Sequence, residues 1–453
     1  MRISLFWRVS LLCASCVVPG AAQEQTHSVF PHPESTRFLI GGQANIIFQA
    51  HAPFHSWYDG TNSLLNRGEY KTSMIGTIYT GFELNPHPKY ATDVILDVES
   101  AGGRGISEAL GLAGFTNLDV VRNPNLGSTP YLARYEVHQV VGFSDKMVET
   151  GRTPFSLQPS LPETRLEFWA GRMSLPDLMD LNSVGTDSHL QFLNWSVDNN
   201  GAWDYAANTR GYTDAAVVAF TERDFTARYA LAAMPTVANG IDLSYDFKKD
   251  NGQNVELELR RGLLPGRKGA VRLLGFVNHA NLGNYRVQNQ LFLASGTKAP
   301  DITAHSQQST VKYGLGANFE QEVSTNGRVF GRVGWGDGAT ESYAYTEIDQ
   351  TFEVGADYSL KGFGRADDKF GITFVTNAIK RDHQWYLAHG GLGFLLGDGK
   401  LNYAREDIVE AYYNYHLWKG VYYALDEQFV AHPGYNRDRG PVMVESVRMH
   451  VDF

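Results

Sequence analysis

The chain has 453 residues, of which 43% are hydrophobic, and its formal net charge is −10 at pH 7. An acidic chain is a poor candidate for binding nucleic acid, because phosphates are bound by basic surfaces. Beyond its N-terminal segment the chain has no run of 18 apolar residues, which excludes a protein that crosses a membrane with helices.

The first 22 residues have the pattern of a secretory signal peptide. Arg2 and Arg8 precede an apolar stretch at 9–18, and Ala22 closes a cleavage site of small residues. A lipoprotein signal through Cys16 is the alternative. Because both cysteines of the chain lie in this segment, the mature protein is predicted to have no disulfide, thiolate metal site or cysteine nucleophile.

Sixteen later segments alternate between apolar and polar residues, the period of two that indicates β-strands. In one of them Val311, Tyr313 and Leu315 share a face, and Lys312 lies on the other. Most exceed the five or six residues typical of soluble sheets and match the roughly 9 to 11 that a tilted strand needs to cross a bilayer. In chain order the predicted strands are 37–50, 70–85, 90–102, 131–143, 164–175, 213–223, 225–235, 254–263, 270–281, 310–323, 327–337, 348–360, 369–381, 407–418, 421–432 and 441–453.

The connections between these segments alternate in length. Those after even-numbered segments are mostly short, and those after odd-numbered segments are mostly long, such as 103–130 and 176–212. This pattern predicts an all-β fold, a transmembrane antiparallel β-barrel of about 16 strands with short periplasmic turns and long extracellular loops. Connection 144–163 is the exception, because it is long where a short one is expected. A short periplasmic lead is predicted at 23–36 and a single barrel at 37–453.

The chain ends in a two-faced segment, GPVMVESVRMHVDF, whose last residue is aromatic. In a closed barrel the last strand pairs with the first, so the chain can end within the sheet. Phe453 is then expected on the lipid face at the periplasmic rim. A terminal strand of this kind resembles the signal read by the outer-membrane barrel-assembly machinery; the alternative is a chance strand at the end of a soluble protein.

Several stretches, in this order, resemble the carbohydrate-selective porins of the OprB type. They include GGQANIIFQ, YDGTNSLL, GLAGF, FWAGRMSLPDLMDLN, QFLN, WDYAANTRGYT, PGYNRDRGPV and the closing VRMHVDF, and they extend from near residue 41 to the end. The resemblance implies a sixteen-stranded barrel in the outer membrane of a Gram-negative-type bacterium. It implies passive diffusion of mono- or oligosaccharides, with no catalysis and no cofactor.

A channel that selects sugars must replace the water around hydroxyl groups. Carboxylates, amides and guanidinium groups do so by hydrogen bonds, and aromatic rings stack on apolar sugar faces. Segment 176–212 is long, polar and aromatic, so we predict that it folds inward as the constriction. The alternative is that its Asn and Asp residues only make turns and its tryptophans only anchor it. The predicted constriction residues are Trp169, Arg172, Asp177, Asn194, Trp195, Asp198, Trp203, Asp204 and Arg210.

For Arg172, the alternation of its strand and the cost of placing an arginine in lipid lead to opposite predictions. Leu166, Phe168 and Ala170 set an outward phase that would turn Arg172 toward lipid, where an arginine near the midplane costs about 2–4 kcal/mol. Either Gly171 is a bulge that reverses the phase, or Arg172 lies at the rim. We expect an inward Arg172.

Alternation also predicts charges on the lumen wall. Arginines facing acids across the lumen would create a transverse field that favours dipolar solutes, whereas mutually neutralised pairs would only solvate the wall. The predicted wall residues are Arg134, Glu136, Arg228, Glu258, Arg260, Arg272, Arg332, Glu410, Arg448 and His450.

Motifs for other chemistries are weak. His51 and His55 have the spacing of zinc ligands on a helix, but HAPFH contains a proline and follows a strand, so no metal site is predicted. Two other classes stay open: an outer-membrane barrel enzyme with a site at its extracellular rim, and a soluble periplasmic sugar-binding β-protein. Oligomeric state also stays open, because nothing in the sequence shows which lipid-facing strands would pair.

Overall fold

The structure, a computed structural model, describes residues 28–30, 32, 36–122 and 126–453. The predicted signal peptide lies outside the described residues, as does much of the predicted periplasmic lead. Sixteen strands of the described part form one antiparallel sheet that closes into a barrel. The predicted fold class is confirmed.

Each barrel strand overlaps one predicted strand, with ends that differ by a few residues. The barrel strands are β1 (Phe38–His51), β2 (Glu69–Asn85), β3 (Thr92–Gly103), β4 (Tyr131–Gly142), β7 (Arg165–Met173), β8 (Thr213–Thr221), β9 (Phe225–Ala232), β10 (Asn251–Leu259), β11 (Gly269–Leu282), β12 (Gln307–Glu322), β13 (Gly327–Gly336), β14 (Gln350–Ser359), β15 (Lys369–Ala378), β16 (Glu406–Trp418), β17 (Val421–Ala431) and β18 (Val442–Asp452). Two short strands, β5 (Met147–Glu149) and β6 (Ser160–Pro162), pair only with each other.

Helices are few in the part of the chain that the structure describes. The α-helices are α1 (Trp195–Asp198), α2 (Tyr285–Ser295) and α3 (Arg381–Ala388). The last two belong to extracellular connections and pack together through Tyr285 and His383, whose ring centroids are 4.1 Å apart. Within 36–122 and 126–453, no helix combines the length and apolar character needed to span a membrane.

The outer face of the barrel is apolar and the inner face is polar, as alternation requires. On β12, Leu315 is 65% exposed on the outer face, whereas Lys312 on the inner face is 2% exposed. Similar outward Val, Leu, Phe and Tyr side chains occur around the barrel. An apolar band of this extent is the surface that lipid covers in membrane barrels.

The chain closes the barrel at its C-terminus. β18 pairs with β1 from Gln43 opposite Asp452 to His51 opposite Val444. The Phe453 N–H then donates to the Gly42 carbonyl at 2.8 Å. The Phe453 ring lies over Gly42 on the outer face, as predicted, because a Cβ at Gly42 would be only 2.7 Å from it.

Candidate functional site

A cavity of about 530 Å³ lies inside the barrel. On one side it is bounded by inner-face side chains of β1–β4, including Thr77, Glu99 and Arg134. On the other side it is bounded by residues 174–212, the connection between β7 and β8, hereafter the inward connection. The cavity is therefore the space that the inward connection leaves open in the lumen.

The inward connection has its own local order. Its first turn, Leu175–Asp177, is closed by a capping box in which Ser174 and Asp177 exchange side-chain and backbone hydrogen bonds. Its short helix α1 begins after Asn194, whose side chain accepts a hydrogen bond from the Ser196 N–H. These caps satisfy backbone groups that the lumen would otherwise leave unpaired.

Carboxylates of the barrel wall hold the backbone of the inward connection. Glu256 accepts a hydrogen bond from the Asp180 N–H at 2.6 Å, and Glu320 accepts one from the Ser183 N–H at 2.7 Å. Glu410 accepts from two consecutive N–H groups of the connection. Buried backbone groups require such partners, so these acids fix the connection against the wall.

Arginines of the wall bind carbonyl groups of the same connection. Arg332 donates to the Val197 carbonyl at 2.6 Å. Arg448 donates to the carbonyls of Ser188 and Gln191, at 2.7 and 2.8 Å. Arg332, Glu410 and Arg448 thus lie on the inner face of the barrel, where the connection covers them.

The other predicted wall charges form neighbouring pairs. Arg228 binds Glu256 and Glu258, at 2.8 and 2.9 Å, and Arg272 binds Glu320 at 2.9 Å. Arg260 donates to Glu258 at 3.0 Å. The charges on this side of the barrel therefore neutralise one another in pairs, which is the second of the two alternatives. These residues do not form the opposed charges of a transverse field. Glu136 and His450 are buried on the inner face of their strands.

Arg134 lies where the wall and the inward connection meet. Its Nε and Nη2 donate to Asp177 at 2.8 and 2.6 Å, and its Nη1 donates to Asp97 at 3.2 Å. The rings of Phe155 and Tyr212 lie 4.6 and 5.3 Å from its guanidinium carbon. Hydrogen bonds at its edge and rings on its faces therefore hold this guanidinium in one orientation.

A second group of polar side chains faces the cavity from the extracellular side. Glu99 accepts hydrogen bonds from the hydroxyls of Thr77, Tyr131 and Tyr212. The guanidinium carbon of Arg210 lies 3.6 Å from the centre of the Tyr131 ring. Carboxylate, guanidinium and phenol groups thus lie within one patch.

Aromatic rings form another part of the lining. Trp195 and Tyr345 are stacked, with centroids 5.8 Å apart and planes at 4°, and Tyr205 lies 4.9 Å from Tyr345. The Trp195 Nε1–H donates to the Asn117 carbonyl at 2.7 Å, which fixes the indole.

An ion pair joins the inward connection to the β3–β4 connection. The Nε2 atom of His189 is 3.4 Å from Asp119, and the His189 ring stacks on His450 at 5.3 Å. Burial alone would lower the pKa of His189, but the Asp119 carboxylate outweighs it and the pKa rises to about 9. Nearby, burial raises the pKa of Asp198 to about 7 against the opposing effect of Arg332.

The structure separates the predicted constriction residues into three groups. Asp177, Trp195, Asp198 and Arg210 line the cavity. Trp169 faces the lumen but lines a second cavity of about 150 Å³ with Arg228 and Arg260, and its ring stacks on His138 at 4.6 Å. The third group does not reach the larger cavity.

Asn194, Trp203 and Asp204 are buried anchors, so their predicted place in the lining is wrong. Asn194 caps α1 and donates to the Gly114 carbonyl, and the Trp203 Nε1–H donates to Asn254 at 2.9 Å. Asp204 accepts the backbone N–H groups of an extracellular connection. For these three residues the anchoring alternative describes the structure.

The prediction of an inward Arg172 is also wrong. β7 keeps its phase through Gly171, because β4 pairs with it there without a register shift. Arg172 therefore points outward near the extracellular end of β7. It is tolerated there because its Nε is 3.0 Å from Asp214 of the neighbouring strand and its guanidinium lies over Tyr135.

Several lining residues were missed by sequence reasoning. Alternation carries a signal for Glu99, which lies on the inner face of β3, but not for Tyr131, which reaches the inner face of β4 only because the pairing with β3 shifts register before Arg134. It carries none for Asp119, His189 and Tyr345, because these belong to connections whose path depends on tertiary contacts. In the described ranges, no group of three or more His, Cys, Asp or Glu side chains could hold a metal ion.

Comparisons with known proteins agree with this architecture. The model of the carbohydrate-selective porin, OprB family, matches residues 97–453. The chain is similar to the high-pH structure of OprB from Pseudomonas putida, with 14% identity and a TM-score of 0.69 over 92% of this chain and 94% of that one. It is also similar to OmpF of Salmonella typhi in complex with daunomycin, with 9% identity and a TM-score of 0.51 over 93% of this chain and 98% of that one. No match was found among curated proteins.

Proposed function

Because the chain belongs to the OprB family of carbohydrate-selective porins, we propose that the cavity beside the inward connection is its sugar-selective constriction. The family and the closed barrel are those of an outer-membrane channel of Gram-negative bacteria that passes carbohydrates by passive diffusion. The observation that carries the proposal is the lining itself, in which acids, guanidinium groups and stacked rings face one cavity in the lumen.

The lining has the chemistry that sugar recognition requires. Glu99 and Asp177 can accept hydrogen bonds from sugar hydroxyls, Arg210 can donate them, and Trp195 and Tyr345 offer faces for apolar sugar surfaces. The two carboxylates already accept hydrogen bonds from protein groups. A sugar therefore exchanges with existing partners, which favours the weak, reversible binding that permeation needs.

The charge of the lining favours neutral solutes. Acids and cations both line the cavity in equal number: Glu99, Asp119, Glu167, Asp177, Asp187 and Asp198, and Arg122, Arg134, Arg165, His189, Arg210 and Lys369. Asp177 contacts Arg134 and Asp119 contacts His189, so these acids are partly neutralised. We therefore assign neutral mono- or oligosaccharides as permeants, moving down their gradient without catalysis or cofactor.

The surroundings of the barrel are part of the same proposal. Outer-membrane lipid would cover the apolar outer face, and the barrel-assembly machinery would bind the terminal strand that ends at Phe453. Residues 1–22 would serve as a signal peptide for export. Each barrel contains its own complete constriction, so a single chain would suffice as a pore, and oligomers would not change its lining.

Reconstitution in planar bilayers tests the proposal. The purified chain should form channels whose current is reduced by millimolar concentrations of neutral sugars. A chain that inserts and shows no conductance would contradict the proposed function. Hydrolysis of lipid or peptide substrates in detergent would favour the alternative of a barrel enzyme.

A further inference from the structure

The connection between β4 and β7 is long, although it leaves the periplasmic rim, where other connections are short. Its short strands β5 and β6 pair with each other, and the residues that join them, 150–159, fold back into the barrel. Asp93, on the inner face of β3, accepts hydrogen bonds from the Leu157 N–H at 3.1 Å and from the Gln158 amide at 2.8 Å. Leu157 is fully buried against Gly81 of β2. The connection is thus attached to the inside of the wall.

Within this segment, Thr153–Ser156 form a turn, hereafter the inner turn. Its two end residues form a β-bridge. The Thr153 hydroxyl accepts the N–H groups of Phe155 and Ser156, at 3.2 and 3.1 Å. Pro154 restricts the backbone further by fixing its own φ. These features make the inner turn a rigid support for the Phe155 side chain.

Phe155 meets Arg134 from the periplasmic side. The ring centre lies 4.6 Å from the guanidinium carbon, whose edge is bound by Asp177 of the inward connection. Arg134 is eight residues from Gly142 at the periplasmic end of β4, roughly 26 Å along the strand. Two connections from opposite rims therefore meet at one arginine.

Three residues of the inner turn, Thr153, Phe155 and Ser156, line the larger cavity, as do Thr150 and Gly151 before it. The turn and Asp177 thus line one cavity, and the turn belongs to the connection that leaves the periplasmic rim. The Phe155 ring occupies lumen space there, and it also covers one face of the Arg134 guanidinium. Removal of the ring would widen the passage and leave Arg134 less restrained.

We propose that the inner turn forms the periplasmic half of the constriction and that Phe155 is a specificity-determining residue within it. This inference rests on the proposed function, because it assigns the solute size that the channel admits. The inward connection determines what enters from outside. The inner turn determines how large a solute can leave toward the periplasm.

The test compares Phe155→Ala with a matched control, Phe143→Ala. Phe143 belongs to the same connection but is 60% exposed and is absent from the cavity lining. Single-channel conductance is measured in planar bilayers, and liposome swelling is measured with glucose and with sucrose. We expect Phe155→Ala to raise the sucrose-to-glucose rate ratio at least about twofold and to raise conductance, since permeation depends on the narrowest section. Phe143→Ala should match the unmodified chain.

A conservative variant separates the role of the ring from general stability. Phe155→Tyr retains an aromatic ring and should restore the original ratio. If Phe155→Ala fails to insert, Phe155→Leu, which lacks the ring, serves as the same test. Equal ratios in the inner-turn variant, the control and the unmodified chain would overturn the inference while the channel function stood. A lack of conductance in the unmodified chain would instead overturn the proposed function.

Discussion

Arg134 and Asp177 are joined by two hydrogen bonds, although the first lies on barrel strand β4 and the second on the inward connection. The pair fixes the position at which the connection crosses the lumen. Asp97 and the rings of Phe155 and Tyr212 complete the surroundings of the guanidinium. The constriction is therefore built around an ion pair whose members are distant in sequence.

Asp177→Ala should loosen the constriction and weaken sugar binding. Loss of a charge-assisted pair costs about 1.5 kcal/mol or more, which corresponds to a roughly tenfold rise in the sugar concentration that halves the current. The measurement is the titration of current against glucose. Asp214→Ala is the control, because it removes an Asp–Arg pair from the outer face. An equal effect of the two substitutions would contradict the placement of the constriction at Asp177.

Trp195→Ala and Trp203→Ala should have different effects. Trp195 lines the cavity, so its removal should weaken sugar block of the current. Trp203 is 1% exposed and does not line the cavity, so its removal should chiefly lower the free energy of unfolding, by about 3–5 kcal/mol. The two measurements are sugar titration and denaturant unfolding in detergent. Unchanged sugar block in Trp195→Ala would refute a stacking role for this ring.

At high pH the inward connection should be held less firmly in the lumen. The pKa of His189 is raised from 6.5 to about 9, so the His189–Asp119 ion pair contributes its full stabilisation below about pH 6.5. That contribution is lost as the pH rises through about 9, because the imidazole becomes neutral. We expect greater current noise at pH 10 than at pH 7.

His189→Gln should remove most of this pH dependence. The acids Asp119, Asp187 and Asp452 surround His189, and His450 stacks on it. The control is His55→Gln, which alters an extracellular histidine outside the cavity lining and should leave the pH dependence intact. A pH response that persists in His189→Gln would assign the effect to another group.

Glu445→Leu should stabilise the barrel in lipid. Glu427 and Glu445 are directly opposite each other on β17 and β18, both exposed on the outer face. In the described ranges neither has a hydrogen bond or ion pair. Like charges in register and carboxylates facing lipid both oppose folding, so we expect a gain of about 1–2 kcal/mol. The measurement is the free energy of unfolding in bilayers, and Val447→Leu is the control. A loss of stability in Glu445→Leu would indicate that another molecule pairs with these acids.

Arg172 shows that the free-energy cost of an arginine in lipid does not by itself predict which way the side chain points. Its phase in the sequence indicated an outward side chain, and the cost of an arginine in lipid favoured the opposite conclusion. The phase was the better guide, because Asp214 and Tyr135 on the two flanking strands offset the cost. Which strands flank β7, and in what register, follows from barrel closure and cannot be obtained from the residues around Arg172.

The sequence by itself determined the barrel. Strand identity depends on a local period of two, which neighbouring residues show. The rim at which each connection lies then follows from the order of the strands along the chain. Only the tertiary structure decided which residues of the inward connection face the cavity. Trp195 and Trp203 stand eight positions apart in this connection, yet Trp195 lines the cavity and Trp203 does not. The path of a connection through the lumen is set by hydrogen bonds to distant wall residues such as Glu256, Arg332 and Glu410. Those pairings depend on the register of the whole barrel and leave no periodic trace in the chain.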